Sequence, residues 1–305
     1  MHRFAFPVLA LVLTGTAAAQ DAPPSTDIYL AEIAGNTDGR TALVDLRNLT
    51  DREGYDNQPS FSADGKTIYY TSMHEAGDGT RQTDVWAYDL STDELRQVTK
   101  TPESEYSPTQ IPGADAISTI REELGGGRQR LWRFPLEANG TAGDPSPILE
   151  NIRPVGYHAW LADGGREELV LFVLDEPHRL VRTPAERTAT GRTVASDIGR
   201  ALHRIPGEDA FSFVHKAGDD GWTITRLDAS NDELTPLFAT FPEREDFTWS
   251  NDGHVWMADG RKIYRRKPGD DAWSLFDDLT DQLPGDVTRL ALSPDGRLLA
   301  LVADR

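Results

Sequence analysis

The sequence has no cysteine, which excludes disulfide bonds and thiolate metal sites. It also has no G-x-S-x-G motif, the sharp turn that exposes the serine nucleophile of many hydrolases. Calcium loops of the D-x-D-x-D-G type are absent, and the seven histidines are scattered along the chain. These absences indicate no cofactor and favour a non-catalytic protein.

Long hydrophobic runs are also missing, apart from one short run near the start. Residues 1–19 contain a basic beginning, an apolar run at 4–13 and a small-residue exit at 17–19. This pattern is typical of a cleavable secretory signal peptide, because the run is too short to cross a bilayer. No cysteine follows the exit, so a lipoprotein anchor is excluded. We expect a periplasmic or secreted protein without membrane insertion, with a tether at 20–26 and one domain at 27–305.

Basic residues are few relative to acidic ones. The chain has 31 Lys and Arg against 50 Asp and Glu, for a formal net charge of −19. A strongly acidic chain repels the phosphates of nucleic acids and anionic membrane surfaces. The charge predicts no nucleic-acid partner and is typical of a soluble protein.

The segment at 58–99 predicts four short antiparallel strands. Asp64-Gly65 supplies a two-residue hairpin turn between the first two, since glycine adopts the positive φ that such turns need. The later strands are rich in β-branched and aromatic residues. The predicted strands are 59–62, 67–72, 84–90 and 95–99, with an exposed loop at 74–83. Four such strands form one blade of a β-propeller, which buries its faces only against neighbouring blades.

The same pattern recurs along the chain. The Ser-x-Asp-Gly pattern of the hairpin at 62–65 recurs at 250–253 and 293–296, and in degenerate form as Leu-Ala-Asp-Gly at 161–164. Two related turns contain Ile-Pro-Gly, at 111–116 and 205–210. Together with six third strands, these six hairpins predict an all-β, six-bladed β-propeller with four antiparallel strands per blade.

The two ends of the chain complement each other. Residues 27–33 and 42–50 read as third and fourth strands with no first or second strand before them, whereas 288–293 and 297–302 read as a first hairpin. We expect the N-terminal outer strands to pair with the C-terminal inner hairpin. This pairing would close the ring and leave no open blade edge at the seam.

Residues 48–50 (Asn-Leu-Thr) and 54–65 resemble the linker and hairpin of the TolB-like family of six-bladed propellers with WD40-like PD40 repeats. The resemblance implies the propeller fold and interactions with proteins of the cell envelope. TolB itself carries an α/β domain before its propeller, whereas this chain reaches its first propeller strand at about residue 27. Prolyl-oligopeptidase-like enzymes have a similar propeller, but their catalysis belongs to a separate α/β-hydrolase domain for which this chain has no room.

Candidate site residues lie near the starts of the innermost strands. In a propeller, the loop that enters each inner strand reaches the mouth of the central channel, where ligands commonly bind. Tyrosine suits such an interface because it offers apolar area and one hydroxyl, and Arg121 and Arg200 would suit a carboxylate-bearing partner. The candidates are Tyr55, Asp56, Asn57, Glu105, Tyr106, Arg121, Tyr157, His158, Arg200 and Asp246. The favoured hypothesis is a channel rim that binds a protein or peptide partner.

Three other interpretations stay open. The tyrosines at the rim can instead plug the channel and stabilise the ring. A metal-dependent enzyme of the lactonase or lyase kind would hold its ion at the channel, and stacked tyrosines would also suit a sugar-binding module. The candidate metal ligands are Asp56, Asn57, Glu105, His158 and Asp246.

Overall fold

A computed structural model of the chain describes residues 23–35, 40–75, 80–125, 128–163, 166–218 and 221–305. All regular structure in these ranges is β-strand, in 24 strands. Within the same ranges, no helix is present that has the length and apolar character to cross a membrane. The predicted signal peptide at 1–19 lies outside the described residues, as do residues 20–22 of the predicted tether.

The strands form six four-stranded antiparallel sheets, which are the blades. Blade 1 comprises β3 (Asp56–Phe61), β4 (Thr67–Glu75), β5 (Arg81–Asp89) and β6 (Glu94–Gln97). Blade 2 comprises β7 (Ser104–Gln110), β8 (Ala116–Glu122), β9 (Gln129–Pro135) and β10 (Ser146–Pro147). Blade 3 comprises β11 (Val155–Asp163), β12 (Arg166–Val173), β13 (Arg179–Pro184) and β14 (Arg192–Ser196).

The remaining blades follow the same plan. Blade 4 comprises β15 (Ile198–Arg204), β16 (Ala210–His215), β17 (Thr223–Asp228) and β18 (Leu234–Ala239). Blade 5 comprises β19 (Phe247–Trp249), β20 (Val255–Asp259), β21 (Lys262–Arg266) and β22 (Ser274–Asp278). Blade 6 comprises β23 (Val287–Leu292), β24 (Leu298–Asp304), β1 (Thr26–Gly35) and β2 (Thr41–Asn48). The predicted six-bladed propeller is confirmed.

Blade 6 joins the two ends of the chain, as the sequence predicts. Its strand order is β2-β1-β24-β23, so N-terminal outer strands pair with a C-terminal inner hairpin. The pairing of β1 with β24 runs from Thr26 opposite Asp304 to Glu32 opposite Leu298. Every blade therefore keeps four strands, and the seam is held by the same backbone hydrogen bonds as any other blade interior.

The core of the molecule lies between blades rather than within them. Buried apolar side chains form six clusters, and each cluster combines residues from two consecutive blades. Phe134, Phe211 and Phe213 are among the largest side chains with essentially no solvent exposure. Burial of this kind contributes about 25 cal/mol for each Å² of apolar surface removed from water. An isolated blade would expose both of its apolar faces to water, so each blade is stabilised by its contacts with the two neighbouring blades.

The hairpin turns adopt the geometry expected from their sequence. In the first, the Ser62 hydroxyl donates to Asp64 Oδ1 at 2.7 Å, and Gly65 has a φ of 71°. Equivalent serine–aspartate bonds and positive-φ glycines occur in the hairpins at 250–253 and 293–296. These turns all lie on one side of the ring, at the ends of the inner strands.

Some predicted strand boundaries are wrong. The exposed loop expected at 74–83 is shorter, because β4 and β5 continue pairing to Glu75 and Arg81 and the His74 ring stacks on Trp86 at 4.8 Å. The repeat also predicts a fourth strand at 148–150, but the outer strand of this blade is the two-residue β10 at 146–147, a length that an edge strand tolerates since it packs on one side only.

Candidate functional site at the channel mouth

Each inner strand begins on the same side of the ring, which we call the mouth face. One side chain from each blade lies within three residues of the start of its inner strand. Tyr106, Tyr157, Arg200 and Arg289 are the third residues of β7, β11, β15 and β23, whereas Tyr55 and Asp246 immediately precede β3 and β19. These six residues, one per blade, are called the rim ring: Tyr55, Tyr106, Tyr157, Arg200, Asp246 and Arg289.

Bulges near the mouth direct these side chains. Five of the six inner strands shift register against their second strand close to the mouth face. In β11 the shift lies between Val155 and Tyr157, and in β23 it lies between Val287 and Arg289. A bulge inserts an extra residue, bends the strand and re-aims the neighbouring side chain. Tyr157 and Arg289 are therefore placed in the channel by the same local distortion.

Tyr157 and Arg289 meet across the channel. They belong to blades 3 and 6, which are opposite each other because consecutive blades contact each other around the ring. Arg289 Nη2 donates to the Tyr157 hydroxyl oxygen at 2.9 Å, and the guanidinium carbon lies 5.2 Å from the centre of the Tyr157 ring. This bridge spans the channel at the level of the rim ring.

Asp246 is shared by two arginines of the rim ring. Its carboxylate lies 2.5 Å from Arg200 Nη2 and 3.4 Å from Arg289 Nη1. Burial acts to lower the pKa of Arg289, but Tyr157 and Asp246 outweigh burial and the pKa is raised. The pKa of Arg200 is raised in the same way by Asp246. Two permanent positive charges therefore face one negative charge within the ring.

The remaining charges nearby compensate each other. Glu245 Oε2 lies 2.7 Å from Lys216 Nζ, and Glu245 Oε1 lies 3.6 Å from Arg200 Nε. The rim ring thus carries an excess of one positive charge within a strongly acidic chain. Its arginines are held in place from the blade 4–blade 5 side by carboxylates that are already engaged.

Three tyrosines on consecutive blades line a cavity at the mouth. The cavity has a volume of about 310 Å³ and is lined by Tyr55, Tyr106 and Tyr157 together with Gln58 and Leu174, among others. Burial raises the pKa of Tyr55 to about 12, although the charge of Arg289 opposes that rise. The Tyr55 hydroxyl therefore stays protonated at physiological pH. The cavity offers aromatic faces and phenol groups to a ligand.

Five of the candidates from the sequence lie between blades and form hydrogen bonds or ion pairs with neighbouring residues. They are Asp56, Asn57, Glu105, Arg121 and His158. Asp56 has no exposed surface and accepts hydrogen bonds from Ser72 and from Arg52 Nη2, the latter at 2.7 Å. The Asn57 side-chain oxygen accepts from the Gln58 amide at 2.8 Å. Both residues also contact blade 6, since the Thr26 hydroxyl donates to the Asp56 backbone carbonyl at 2.9 Å and the Asn57 amide approaches that hydroxyl at 3.4 Å.

Glu105 and Arg121 form a buried pair in blade 2. Glu105 accepts hydrogen bonds from Thr101 at 2.5 Å and Thr99 at 3.1 Å, and its carboxylate lies 3.5 Å from Arg121 Nε. Burial raises the pKa of Glu105 to about 7. The Arg121 guanidinium also lies 4.7 Å from the centre of the Trp132 ring. Arg121 is therefore held between Glu105 and Trp132 and contributes no unpaired charge to the mouth.

His158 lines the channel wall but directs its ring to the neighbouring blade. His158 Nε2 lies 2.7 Å from the Ser118 hydroxyl, which donates to the Thr109 carbonyl at 3.1 Å. The hydroxyl also accepts from Trp160 Nε1 at 2.9 Å. Because Ser118 uses its only proton on Thr109, we assign the His158 proton to Nε2. Burial lowers the pKa of His158 to about 3, so the ring is neutral.

The residues proposed as metal ligands do not converge. Asp56, Glu105 and His158 bond to different partners in different blade joints, and Asp246 is engaged by two arginines. Throughout the ranges that the structure describes, no group of three or more His, Asp and Glu side chains is arranged to hold a metal ion.

Sequence reasoning identified five members of the rim ring and missed Arg289. The signal for it was present, since Arg289 occupies the same third position of an inner strand as Tyr106, Tyr157 and Arg200. An alignment of the six inner strands to one another would have found it.

No family model and no curated protein sequence matches this chain. Among solved structures, it resembles a putative TolB from Agrobacterium tumefaciens, with a TM-score of 0.66 and 15% identity over 92% of this chain and 99% of that chain. TolB from Acinetobacter baumannii matches with a TM-score of 0.55 and 14% identity over 94% of this chain and 65% of that chain. A puromycin hydrolase (S511A mutant complexed with PGG) matches with a TM-score of 0.52 and 13% identity over 80% of this chain and 50% of that chain. At these identities the likeness concerns the fold alone, and the chain shares with these structures the fold of a six-bladed β-propeller.

Proposed function

We propose that this chain is a non-catalytic binding protein whose mouth face holds a protein or peptide partner. The observation that carries the proposal is the rim ring. It presents three tyrosines from consecutive blades around a 310 Å³ cavity, next to a charged cluster on the opposite blades. Aromatic area combined with a few fixed polar groups is the usual make-up of a recognition site.

Exposed apolar residues support the same face. Leu124 is 68% exposed and Leu174 is 38% exposed, and both lie in connections from a second to a third strand. Second strands end where inner strands begin, so both leucines are on the mouth face. Leu174 also lines the tyrosine cavity. The mouth face therefore offers apolar contact beyond the channel itself.

The proposal places the protein in the cell envelope. Its support is the signal-peptide pattern at 1–19, with a tether at 20–26 and the propeller at 27–305. The test is the N-terminal sequence of protein recovered from a periplasmic fraction, which we expect to begin after residue 19. Retention of residues 1–19 in the fractionated protein would overturn this placement.

The binding role is tested with variants of the mouth. The mature chain is immobilised and exposed to envelope extract, and retained proteins are quantified for the native chain and for a Tyr55→Ala, Tyr106→Ala double variant. A partner that uses the mouth is retained by the native chain and lost from the double variant. The control is Tyr264→Ala, on the third strand of blade 5, which should retain the partner. Equal retention by all three chains would exclude the mouth as the binding surface.

The same protein sample separates the other interpretations. Elemental analysis after purification without chelator, with melting curves in the presence and absence of EDTA, tests the metal-dependent enzyme. A stoichiometric metal with a lowered melting temperature in EDTA would replace the binding role with a metal-based one. A glycan array tests the sugar-binding module, and we expect no glycan whose binding depends on Tyr55 and Tyr106.

A further inference from the structure

The charge of the rim ring does not match the charge of the chain. The protein has a formal net charge of −19, yet at its channel mouth three cations, Arg200, Arg289 and Lys216, face two carboxylates, Asp246 and Glu245. An arginine in a partly enclosed site loses solvation and is retained there when it has an anion to bind. The imbalance points to a negatively charged group on the ligand.

Arg289 is the cation with the weaker internal partners. A guanidinium offers five N–H donors in a planar fork. Among the described residues, Arg289 donates to the Tyr157 hydroxyl at 2.9 Å and to Asp246 at 3.4 Å, whereas Arg200 donates to Asp246 at 2.5 Å. A carboxylate accepts from guanidinium more strongly than a phenol does, and in a bidentate geometry. The Tyr157 hydroxyl is therefore an exchangeable partner.

Space for such a group exists on both sides of the bridge. Arg289 borders the channel cavity of about 350 Å³ and a second cavity of about 250 Å³ between blades 5 and 6. Tyr157 borders the channel cavity and the tyrosine cavity at the mouth. A side chain or chain end that enters from the mouth reaches Arg289 once the tyrosine hydroxyl moves aside.

We propose that the rim ring is a carboxylate-binding site, in which Arg289 exchanges the Tyr157 hydroxyl for a carboxylate of a bound peptide and Arg200 supplies the second positive charge. This inference rests on the proposed function and adds the chemistry of the ligand. The carboxylate comes from a chain terminus or from an acidic side chain, two sources that share one chemistry.

The test uses random octapeptide mixtures in three forms, with the immobilised mature chain. The first form has a free C-terminus and no Asp or Glu. The second has an amidated C-terminus and no Asp or Glu, and the third has an amidated C-terminus and one Asp or Glu. Retained peptide is quantified by mass spectrometry. We expect the first or the third form to be retained at least about tenfold over the second, since a charge-assisted bond is lost without the carboxylate. Which of the two is retained identifies the source.

Two variants with opposite expected effects make the test specific. Arg289→Gln should reduce retention of the carboxylate form at least about tenfold, because the principal cation is removed. Tyr157→Phe should increase retention about two- to fivefold, because the competing acceptor is removed and Arg289 is left free to bind the ligand. The matched controls are Arg297→Gln, which alters an 81% exposed side chain at the opposite side of the ring, and Tyr264→Phe.

The outcomes separate this inference from the proposed function. Equal retention of all three peptide forms would leave peptide binding intact and overturn the carboxylate site. Retention of a carboxylate form that is unchanged in Arg289→Gln and in Tyr157→Phe would also overturn it. No retention of any form would reject peptide binding at the mouth, and this inference with it. If Arg289→Gln fails to fold, the increase expected in Tyr157→Phe still decides the matter.

Discussion

The Tyr157 hydroxyl and the Arg289 guanidinium lie 2.9 Å apart across the channel, although 132 residues separate them in the sequence. They come from opposite blades, and each directly follows a bulge in its inner strand. The contact therefore depends on correct closure of the whole ring. The bridge spans the channel, and in the proposed carboxylate site the Arg289 guanidinium is the donor that a ligand carboxylate takes over.

A double-mutant cycle should reveal coupling between these residues. Tyr157→Phe and Arg289→Met each remove one side of the bridge, and the double variant removes both. We expect a coupling free energy of about 1.5–3 kcal/mol, the range for a hydrogen bond to a charged group. The measurement is the free energy of unfolding from denaturant titration. Tyr264→Phe combined with Arg289→Met should be additive, and additivity in the main cycle as well would show that the bridge contributes nothing to stability.

Loss of a buried serine hydroxyl should destabilise the interface between blades 2 and 3 more than the equivalent interface between blades 4 and 5. Ser118 accepts from both Trp160 and His158, whereas Ser212 accepts, within the described residues, from Trp249 alone at 2.8 Å. An orphaned buried donor costs about 1–3 kcal/mol. We expect Ser118→Ala to lower the free energy of unfolding by about 2–4 kcal/mol and Ser212→Ala by about 1–2 kcal/mol.

Chemical denaturation of the two serine variants provides this comparison, with each alanine serving as the control for the other. Equal losses would mean that the contact between His158 and Ser118 adds nothing to stability, which would contradict an Nε2 donor that is orphaned in Ser118→Ala.

The fold was predictable because its signals are local and repeated. A Ser-x-Asp-Gly hairpin specifies its turn through one hydroxyl–carboxylate bond and one positive-φ glycine, and the same short signal recurs in register along the chain. The phase of the repeat also predicted the closure of the ring through β1 and β24. Outer-strand limits were less predictable, since an edge strand such as β10 is supported on one side only.

The site was predictable only in part, for a physical reason. Sequence position indicates that a residue lies near the mouth, but bulges decide which side chains face the channel. Tyr157 faces it, whereas its neighbour His158 bonds to Ser118 in the next blade. Asp56 and Glu105 lie beside rim tyrosines in sequence and are nevertheless fully buried. Adjacent residues of a strand point to opposite faces, so a shift of one position along the strand moves a side chain from the channel to the packing between blades.

The seam of blade 6 should be sensitive to a single methyl group. A Cβ added at Gly285 would lie 2.5 Å from the Asp304 carbonyl oxygen and 2.9 Å from its Cβ, at the end of β24. The backbone of the last strand must move to relieve this overlap. We expect Gly285→Ala to lower the free energy of unfolding by about 1–3 kcal/mol, the usual cost of overpacking.

The control for that substitution is Gly35→Ala at the end of β1, where an added Cβ meets no atom of the described part of the chain within 4 Å. Differential scanning calorimetry of both variants compares the two sites. We expect no loss of melting temperature at Gly35, and an equally small effect at Gly285 would show that the chain end relaxes without cost.

Glu105 should make the protein less stable as pH rises through neutrality. Burial raises its pKa from 4.5 to about 7 in the folded chain. The folded state therefore binds the proton more tightly than the unfolded state does. The resulting stabilisation is complete below pH 4.5 and is lost as pH rises through 7. At about 1.4 kcal/mol for each unit of pKa, the loss for this group is roughly 3 kcal/mol. Glu105→Gln, which mimics the protonated carboxyl, removes this dependence.

The measurement is the difference in unfolding free energy between Glu105→Gln and the native chain at pH 5 and at pH 8, because other titrating groups cancel in that difference. Between pH 5 and pH 8, the unfolding free energy of the variant should rise relative to that of the native chain by roughly 3 kcal/mol. The matched control is Glu94→Gln, on the exposed edge strand β6. Its unfolding free energy should differ from that of the native chain by the same amount at pH 5 and at pH 8. A constant difference for Glu105→Gln would mean that Arg121, 3.5 Å away, keeps the carboxylate ionised. In that case the pair is a buried salt bridge, and its removal would destabilise the joint between blades 1 and 2 at every pH.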